Sequence, residues 1–307
     1  GWASSKSVAC FTRYARCMAK ALSGRCTRWT PLAEPMHYVT MAYLQGAWPP
    51  QARNPWKAYR AVRNLARAQA VAYRLLHEVI SGAQVGVDMR ARHVLPLDPE
   101  NVWDLRATHR ESSRANRLLL DVHTEGRWPG MLSDEKELAG TADFVLLHYA
   151  GTEHLRFRAD RMRCLCVESV DALGKPCTPG WAEVDAQGLI GILSALSTYD
   201  LPLWVSFGVP AQDDAERRQE LLAHLSAIHQ VLSEGVRVRG ILYRSLIDGF
   251  EWTAGYTARY GLIHVDRESL SRTPNESAYL YKAIIEAGGI TPGLCANFAP
   301  GWSGKLA

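Results

Sequence analysis

The sequence predicts an α/β protein with a parallel sheet, because helix-length segments alternate with short apolar runs along the chain. The chain has 307 residues and 47% of them are hydrophobic, which is enough to bury a large core. It contains no evident internal repeat, low-complexity tract or linker. We therefore expect a single domain over residues 1–307.

The first part of the chain supplies two strands and three mostly helical segments. The helical segments are Val8–Leu22, Trp56–Ile80 and Pro99–Trp128, and the strands are Arg25–Leu32 and Gln84–Met89. The second helix carries a core-facing stripe at spacings of three, four and seven, formed by Tyr59, Val62, Ala66, Tyr73 and Leu76. Its arginines fall mostly off that stripe and favour a solvated outer face over a basic binding face: Arg60, Arg63, Arg67 and Arg74.

The second part continues the alternation. Strands are predicted at Asp143–Ala150, at Pro202–Val209 and from Arg239 onward, and helices at Gln187–Thr198 and Ala215–Glu234. The region Thr152–Trp181 is rich in Arg, Cys, Gly and Pro, which is typical of a long loop.

Composition excludes several classes of partner. A net charge of +4 is too balanced to indicate a nucleic-acid partner, and no apolar run approaches the ~20 residues that span a membrane. Seven cysteines at irregular spacings do not resemble a disulfide framework, so a cytoplasmic location is expected. The cluster of Cys164, Cys166, Cys177 and His154 lacks the usual second ligand pair of a zinc site, so neither a metal nor a cofactor is predicted.

The most informative stretch is Arg239–Tyr281. An apolar strand, Gly240 to Leu246, is followed by the run from Asp248 to Trp252 and by an aromatic hairpin, Tyr260 to Asp266. This long, ungapped stretch resembles the last barrel strand and closing segment of glycoside hydrolase family 1, the retaining β-glucosidase family. The resemblance implies a (β/α)8 barrel and a β-glycoside or other small sugar as the ligand.

Set against that family, the five predicted strands resemble barrel strands four to eight, so the resemblance covers nearly all of this chain but only the later part of the family domain. Five strands leave two sheet edges exposed. We expect either that this chain is a fragment of a longer protein, which is the explanation we favour, or that a second chain completes the barrel.

The family's acid/base lies in a Thr-x-Asn-Glu-Pro motif, and the matching run here ends in Glu34-Pro35. The resemblance therefore implies that Glu34 is the acid/base. The asparagine that holds the sugar's 2-hydroxyl in the family is replaced by Ala33. Taken alone, a Glu-Pro pair after a strand indicates a surface turn, but the flanking match, Arg25 to Trp29 and Tyr43 to Gly46, favours the catalytic interpretation.

The family's nucleophile lies in an Ile-Thr-Glu-Asn-Gly motif. Anchored on Gly208, the resemblance puts Ser206 at the nucleophile position, and a one-residue shift puts Phe207 there instead. Neither side chain supplies a carboxylate, and a serine hydroxyl is a poor nucleophile without an activating base. Ordinary double-displacement hydrolysis is therefore not expected.

Other sugar-site positions differ as well. His148 stands in place of an asparagine and Arg244 in place of a tryptophan platform, whereas Glu251 and Trp252 match residues that bind sugar hydroxyls. His148 has a structural alternative, a hydrogen-bonded core histidine, which we favour over a catalytic role. Arg244 is as well explained by pairing with Asp248 or Glu34 as by binding an anionic substrate.

Three functional hypotheses follow. The first is a degenerate sugar-binding barrel with little or no hydrolytic activity. The second is an active retaining β-glycosidase that uses Glu34 with an unconventional nucleophile. The third is a non-enzymatic scaffold that binds a barrel-completing chain.

Overall fold

The structure of the protein is a computed structural model, which describes residues 1–129, 133–161, 165–177, 183, 185–208, 213–302 and 304, with only the backbone at Thr253. The chain forms two compact units. The first contains Gly1–Glu183 and Leu196–Trp204, and the second contains Val184–Ala195 and Val205–Ala307. The expectation of a single domain stays a prediction.

The first unit contains the helices α1 (Ser7–Leu22), α2 (Pro35–Val39), α3 (Pro55–Val79), α4 (Val102–Asn116) and α5 (Leu118–Glu125). A π-helical turn, Thr40–Leu44, follows α2, and a 3₁₀ turn spans Lys136–Leu138. The long helix α3 begins where sequence chemistry predicts, because the Asn54 side chain accepts the Lys57 N–H and Pro55 fills the first helical position.

The sheet of the first unit has three parallel strands in the order β1 (Arg28–Trp29), β2 (Gln84–Pro96) and β3 (Phe144–Phe157). A short strand, β4 (Val167–Val170), pairs antiparallel with β3. The predicted loop from Thr152 onward is therefore wrong at its start. Its charged composition concealed a strand, because Glu153 is buried there against a cation, Arg92.

The core between α1, α3 and the sheet follows the predicted apolar stripe. Ala19, Leu76, Ile80 and Val85 form one buried cluster, against which Tyr73 packs. The predicted solvated face holds for Arg60, Arg67 and Arg74, which are exposed, whereas Arg63 is only partly exposed. Arg63 and Arg67 both pair with the buried carboxylate of Glu135.

The second unit contains the helices α7 (Asp214–Ser233), α8 (Glu276–Ala287) and α9 (Pro292–Phe298) and the strand β6 (Val238–Tyr243). Two elements contribute residues to both units, the helix α6 (Ala186–Ser197) and the strand β5 (Leu203–Phe207). The predicted aromatic hairpin is present as β7 (Ile263–Val265), which pairs antiparallel with β8 (Arg272–Pro274). Within the described residues, no helix is long and apolar enough to cross a membrane.

Candidate functional site

Glu34 lies at the junction between β1 and α2, directly before the helix-starting Pro35. Its backbone is left-handed (φ 40°, ψ 51°), which is uncommon for a residue with a side chain. Its carboxylate is 3.8 Å from Nη1 of Arg90 on β2. Ala33, immediately before it, is exposed and offers only a methyl group.

Asp88 supports this junction. It is only 4% exposed on β2, and its Oδ1 accepts the Glu34 N–H at 2.9 Å. Its Oδ2 lies 3.2 Å from Nε2 of His148 on the neighbouring strand β3. Sequence reasoning missed Asp88, although an acidic residue inside the apolar run Val85–Met89 was a signal for a buried, partnered carboxylate.

These contacts bear on the alternative interpretation of His148 as a hydrogen-bonded core histidine. His148 is hydrogen-bonded to a buried carboxylate, but its side chain is still 24% exposed. It is therefore a partly accessible histidine held in place by Asp88, and the same carboxylate links it to the backbone of Glu34.

Burial and nearby arginines together set the charge state of a second histidine near Glu34. Burial, followed by the charges of Arg90, Arg92 and Arg114, lowers the pKa of His37 to about 3. The imidazole is therefore neutral at ordinary pH, and its ring meets Trp48 edge-on with centroids 5.1 Å apart. His37 is consequently an aromatic packing residue of this junction.

In the second unit, Ser206 and Phe207 lie at the carboxyl end of β5. The Phe207 ring stacks on His224 of α7 at 4.9 Å and meets Tyr243 of β6 edge-on at 5.9 Å. Its side chain therefore lies on the helix-packed face of the strand. Because successive side chains of a strand point to opposite faces, the Ser206 hydroxyl points away from α7, and the residue is only 4% exposed.

Arg244 follows β6 and contacts Glu251, which was predicted to bind a sugar, and Tyr260 of the predicted hairpin. Its Nη2 lies 2.5 Å from Oε2 of Glu251, and its guanidinium lies over the Tyr260 ring at 4.8 Å. The suggested pairing with Asp248 is wrong, since Asp248 instead accepts the Gly261 N–H and contacts His264.

The neighbouring Trp252 begins a 3₁₀ turn, Trp252–Ala254, and 76% of its surface is exposed. Such an exposed indole is available to stack on a sugar ring. Glu251, by contrast, is largely buried, and its Oε2 forms an ion pair with Arg244.

The predicted site residues thus form two groups. Ala33, Glu34 and His148 lie in the first unit with Asp88, and Ser206, Arg244, Glu251 and Trp252 lie in the second. For the zinc alternative, the described residues contain no group of three His, Cys, Asp or Glu side chains able to hold a metal ion. Cys164, one of the four residues of that alternative, lies outside the described residues.

The sequence profile described as glycosyl hydrolase family 1 matches residues 1–175 and 133–290 of this chain. Among curated relatives, β-glucosidase A of Thermotoga maritima is 27% identical over 316 residues. That alignment covers 94% of this chain and 70% of the relative.

Solved structures agree with the sequence matches. A β-glycosidase from Pyrococcus horikoshii superposes with a TM-score of 0.85 at 29% identity, covering 97% of this chain and 70% of its own. The β-glucosidase from Thermotoga maritima in complex with glucoimidazole gives a TM-score of 0.83 at 26% identity, with 94% and 70% covered. These matches confirm the predicted fold class, a (β/α)8 barrel of which the chain contains about strands four to eight.

Proposed function

Because this chain belongs to glycosyl hydrolase family 1, we propose that it is a β-glucosidase-related, sugar-binding barrel of carbohydrate metabolism that has little or no hydrolytic activity. Retaining glycosidases need a carboxylic acid and a second carboxylate that attacks the sugar. This chain keeps a candidate for the first role, Glu34, and has no carboxylate at the position of the second.

Ser206 is the observation that carries the proposal. Phe207 faces α7, which supports Ser206 as the residue at the nucleophile position. A buried hydroxyl cannot offset the positive charge that develops at the anomeric carbon. Loss of one member of a catalytic pair costs on the order of 10⁴- to 10⁶-fold in rate.

In this proposal the site has lost some sugar contacts but still binds a sugar. The Arg244–Glu251 ion pair leaves the second oxygen of Glu251 as an acceptor for a sugar hydroxyl, and exposed Trp252 supplies an apolar face. Arg244 adds a cation where the family has an indole. The replacement of an asparagine by Ala33 removes a contact to the 2-hydroxyl.

A hydrolysis assay tests the loss of activity. The purified protein is incubated with an aryl β-glucoside, with and without azide, beside Glu34→Gln. We expect background turnover without azide. Azide rescue that depends on Glu34 would show that only the nucleophile is missing, because azide attacks in place of the absent carboxylate.

The second candidate function is an active β-glycosidase with Glu34 as acid/base and an unconventional nucleophile. The specific support for it is the Asp88 contact, which holds the Glu34 backbone in place. Substantial turnover without azide, abolished by Glu34→Gln, would establish this candidate and overturn the proposal.

A binding assay tests the retained sugar site. Deoxynojirimycin, which is bound in a solved structure of the Thermotoga maritima relative, is titrated into the protein by calorimetry. We expect Trp252→Ala to weaken binding about fivefold or more, since loss of a stacked ring costs about 1 kcal/mol. The matched control is Trp56→Ala, because Trp56 is 74% exposed and lies on α3. Equal affinities of the two variants would contradict the assignment of Trp252.

Two further expectations belong to this proposal. The six described cysteines are free thiols, which supports a reducing, cytoplasmic location.

A longer form of the chain, or a second chain that it binds as a scaffold, supplies the remaining barrel strands. A 307-residue chain that runs as a soluble monomer in size-exclusion chromatography would argue against a required second chain.

A further inference from the structure

A cavity in the first unit shares no residue with the candidate sugar site. Its volume is about 350 Å³, within the range of small-molecule sites. It is lined from the π-helical turn, α4 and the strands β2, β3 and β4.

The wall of this cavity contains a network of buried charges. Arg92 joins two carboxylates, Glu111 and Glu153, and Arg114 pairs with the same Glu111. The Ser169 hydroxyl donates to Glu153. Burial by itself would raise the pKa of Glu111, but Arg114 and Arg92 hold it below its ordinary value. Glu111 is therefore an anion already neutralised by the protein.

The remaining lining charges are positive. Arg53 and Arg161 bring the lining arginines to four against the two glutamates. Arg161 pairs with Glu168 at 2.7 Å, whereas Arg53 pairs with no carboxylate in the described part of the chain. Its Nε donates to the backbone oxygen of Gln45. Because Arg92, Arg114 and Arg161 are each paired with a buried glutamate, the excess positive charge of the cavity comes from Arg53.

Gln45, which lines the same cavity, has a buried acceptor without a donor among the described residues. Oε1 of Gln45 is buried and accepts no hydrogen bond from any described residue. An unpaired buried acceptor costs about 1–3 kcal/mol, so a ligand hydroxyl that donates to it would gain affinity. Apolar side chains, among them Leu44, Leu155 and Val167, complete the lining and reduce the screening of charges inside.

We propose that this cavity binds a small hydroxylated anion, a polyol that carries a carboxylate or phosphate group. The anionic group pairs with Arg53, and a hydroxyl donates to Gln45. The site needs neither hydrolysis nor the residues of the proposed sugar site, so it goes beyond the proposed function and does not depend on it.

Calorimetry on the whole chain tests the proposal with four probes: glucuronate, glucose 6-phosphate, glucose and inorganic phosphate. We expect the two hydroxylated anions to bind at least about tenfold more tightly than neutral glucose. Their affinity should fall as salt is raised, since the attraction is electrostatic. Comparison of the two anions distinguishes a carboxylate from a phosphate ligand.

Matched variants locate the binding. Arg53→Gln should weaken both anions about tenfold, because one charge-assisted contact is lost. Arg60→Gln, at an exposed position on α3, is the control and should change nothing. Gln45→Leu should weaken the hydroxylated anions but leave inorganic phosphate unchanged. Circular dichroism confirms that each variant is folded.

Several results would overturn the proposal. They are the absence of anion binding up to about 10 mM, equal affinity for glucose, equal effects of Arg53→Gln and Arg60→Gln, or an unchanged affinity in Gln45→Leu. Loss of anion binding in Glu251→Gln but not in Arg53→Gln would place the anion in the sugar site instead. The sugar-site proposal would survive each of the first four results.

Discussion

Glu34, the expected acid/base, has a left-handed backbone conformation that residues other than glycine rarely adopt. A left-handed, non-glycine residue costs on the order of 1–3 kcal/mol and persists only when its surroundings hold it. Asp88 supplies that support by accepting the Glu34 N–H at 2.9 Å from a nearly fully buried position.

We predict that Asp88→Ala lowers the free energy of unfolding by about 1–3 kcal/mol, because the Glu34 N–H loses its acceptor. Asp88→Asn should cost less, since an amide oxygen still accepts that hydrogen bond. Urea denaturation measures both changes. Asp160→Ala is the control, because Asp160 is an exposed residue that pairs with Arg158, and it should leave stability nearly unchanged.

A result in which Asp88→Ala and Asp160→Ala were equally mild would mean that Asp88 does not hold the junction. Asp88 also contacts His148, so the chemical shifts of the His148 ring should change in both Asp88 variants.

At the scale of elements, Gly208, the residue after β5, lies against the backbone of Arg244, the residue after β6. A Cβ added there would lie 1.7 Å from the backbone oxygen of Arg244, far inside van der Waals contact. The glycine is thus required by the packing of one backbone on another, two residues after Ser206, the proposed nucleophile position.

We predict that Gly208→Ala costs at least about 3 kcal/mol of unfolding free energy, because backbone atoms, unlike a flexible side chain, cannot move aside cheaply. Gly191→Ala should have the opposite sign. Gly191 lies in α6 with nothing within 4 Å of its added Cβ, so alanine should stabilise the protein by about 0.5–1 kcal/mol.

Thermal denaturation of both variants checks this pair. A neutral Gly208→Ala would show that β5 and β6 are further apart in solution than the structure indicates. A destabilising Gly191→Ala would show that something packs on that face of α6.

For the whole molecule, the division into two units raises the question of cooperativity. The helix α6 and the strand β5 each contribute residues to both units. A helix or strand of this length does not unfold in halves without losing its hydrogen bonds, so the units share structure through the chain itself.

We therefore predict a single cooperative unfolding transition. Circular dichroism and tryptophan fluorescence should give coincident thermal curves. Asp88→Ala in the first unit and Gly208→Ala in the second should each shift the whole transition. Two separable transitions, with Asp88→Ala moving only one, would contradict this expectation and favour two domains.

Sequence periodicity predicted most elements closely, because it is a local property. The helix predicted at Val8–Leu22 is Ser7–Leu22, and the one predicted at Ala215–Glu234 is Asp214–Ser233. The extension of β3 beyond Ala150 and the strand β4 were missed, because their buried charges are tolerated only through partners distant in sequence. A loop prediction made from local composition does not take such distant partners into account.

The sequence by itself determined the family, the (β/α)8 class and the absence of a carboxylate at Ser206 and of an amide at Ala33, because these depend on which residue occupies a position. Only the tertiary structure decided that Arg244 pairs with Glu251, that Asp88 joins Glu34 to His148, and that charges and Gln45 line a separate cavity. Each of these depends on side chains from different elements meeting in space. Hydrophobic periodicity predicts which segments form helices and strands, but it does not specify which polar groups from different segments will share a buried partner.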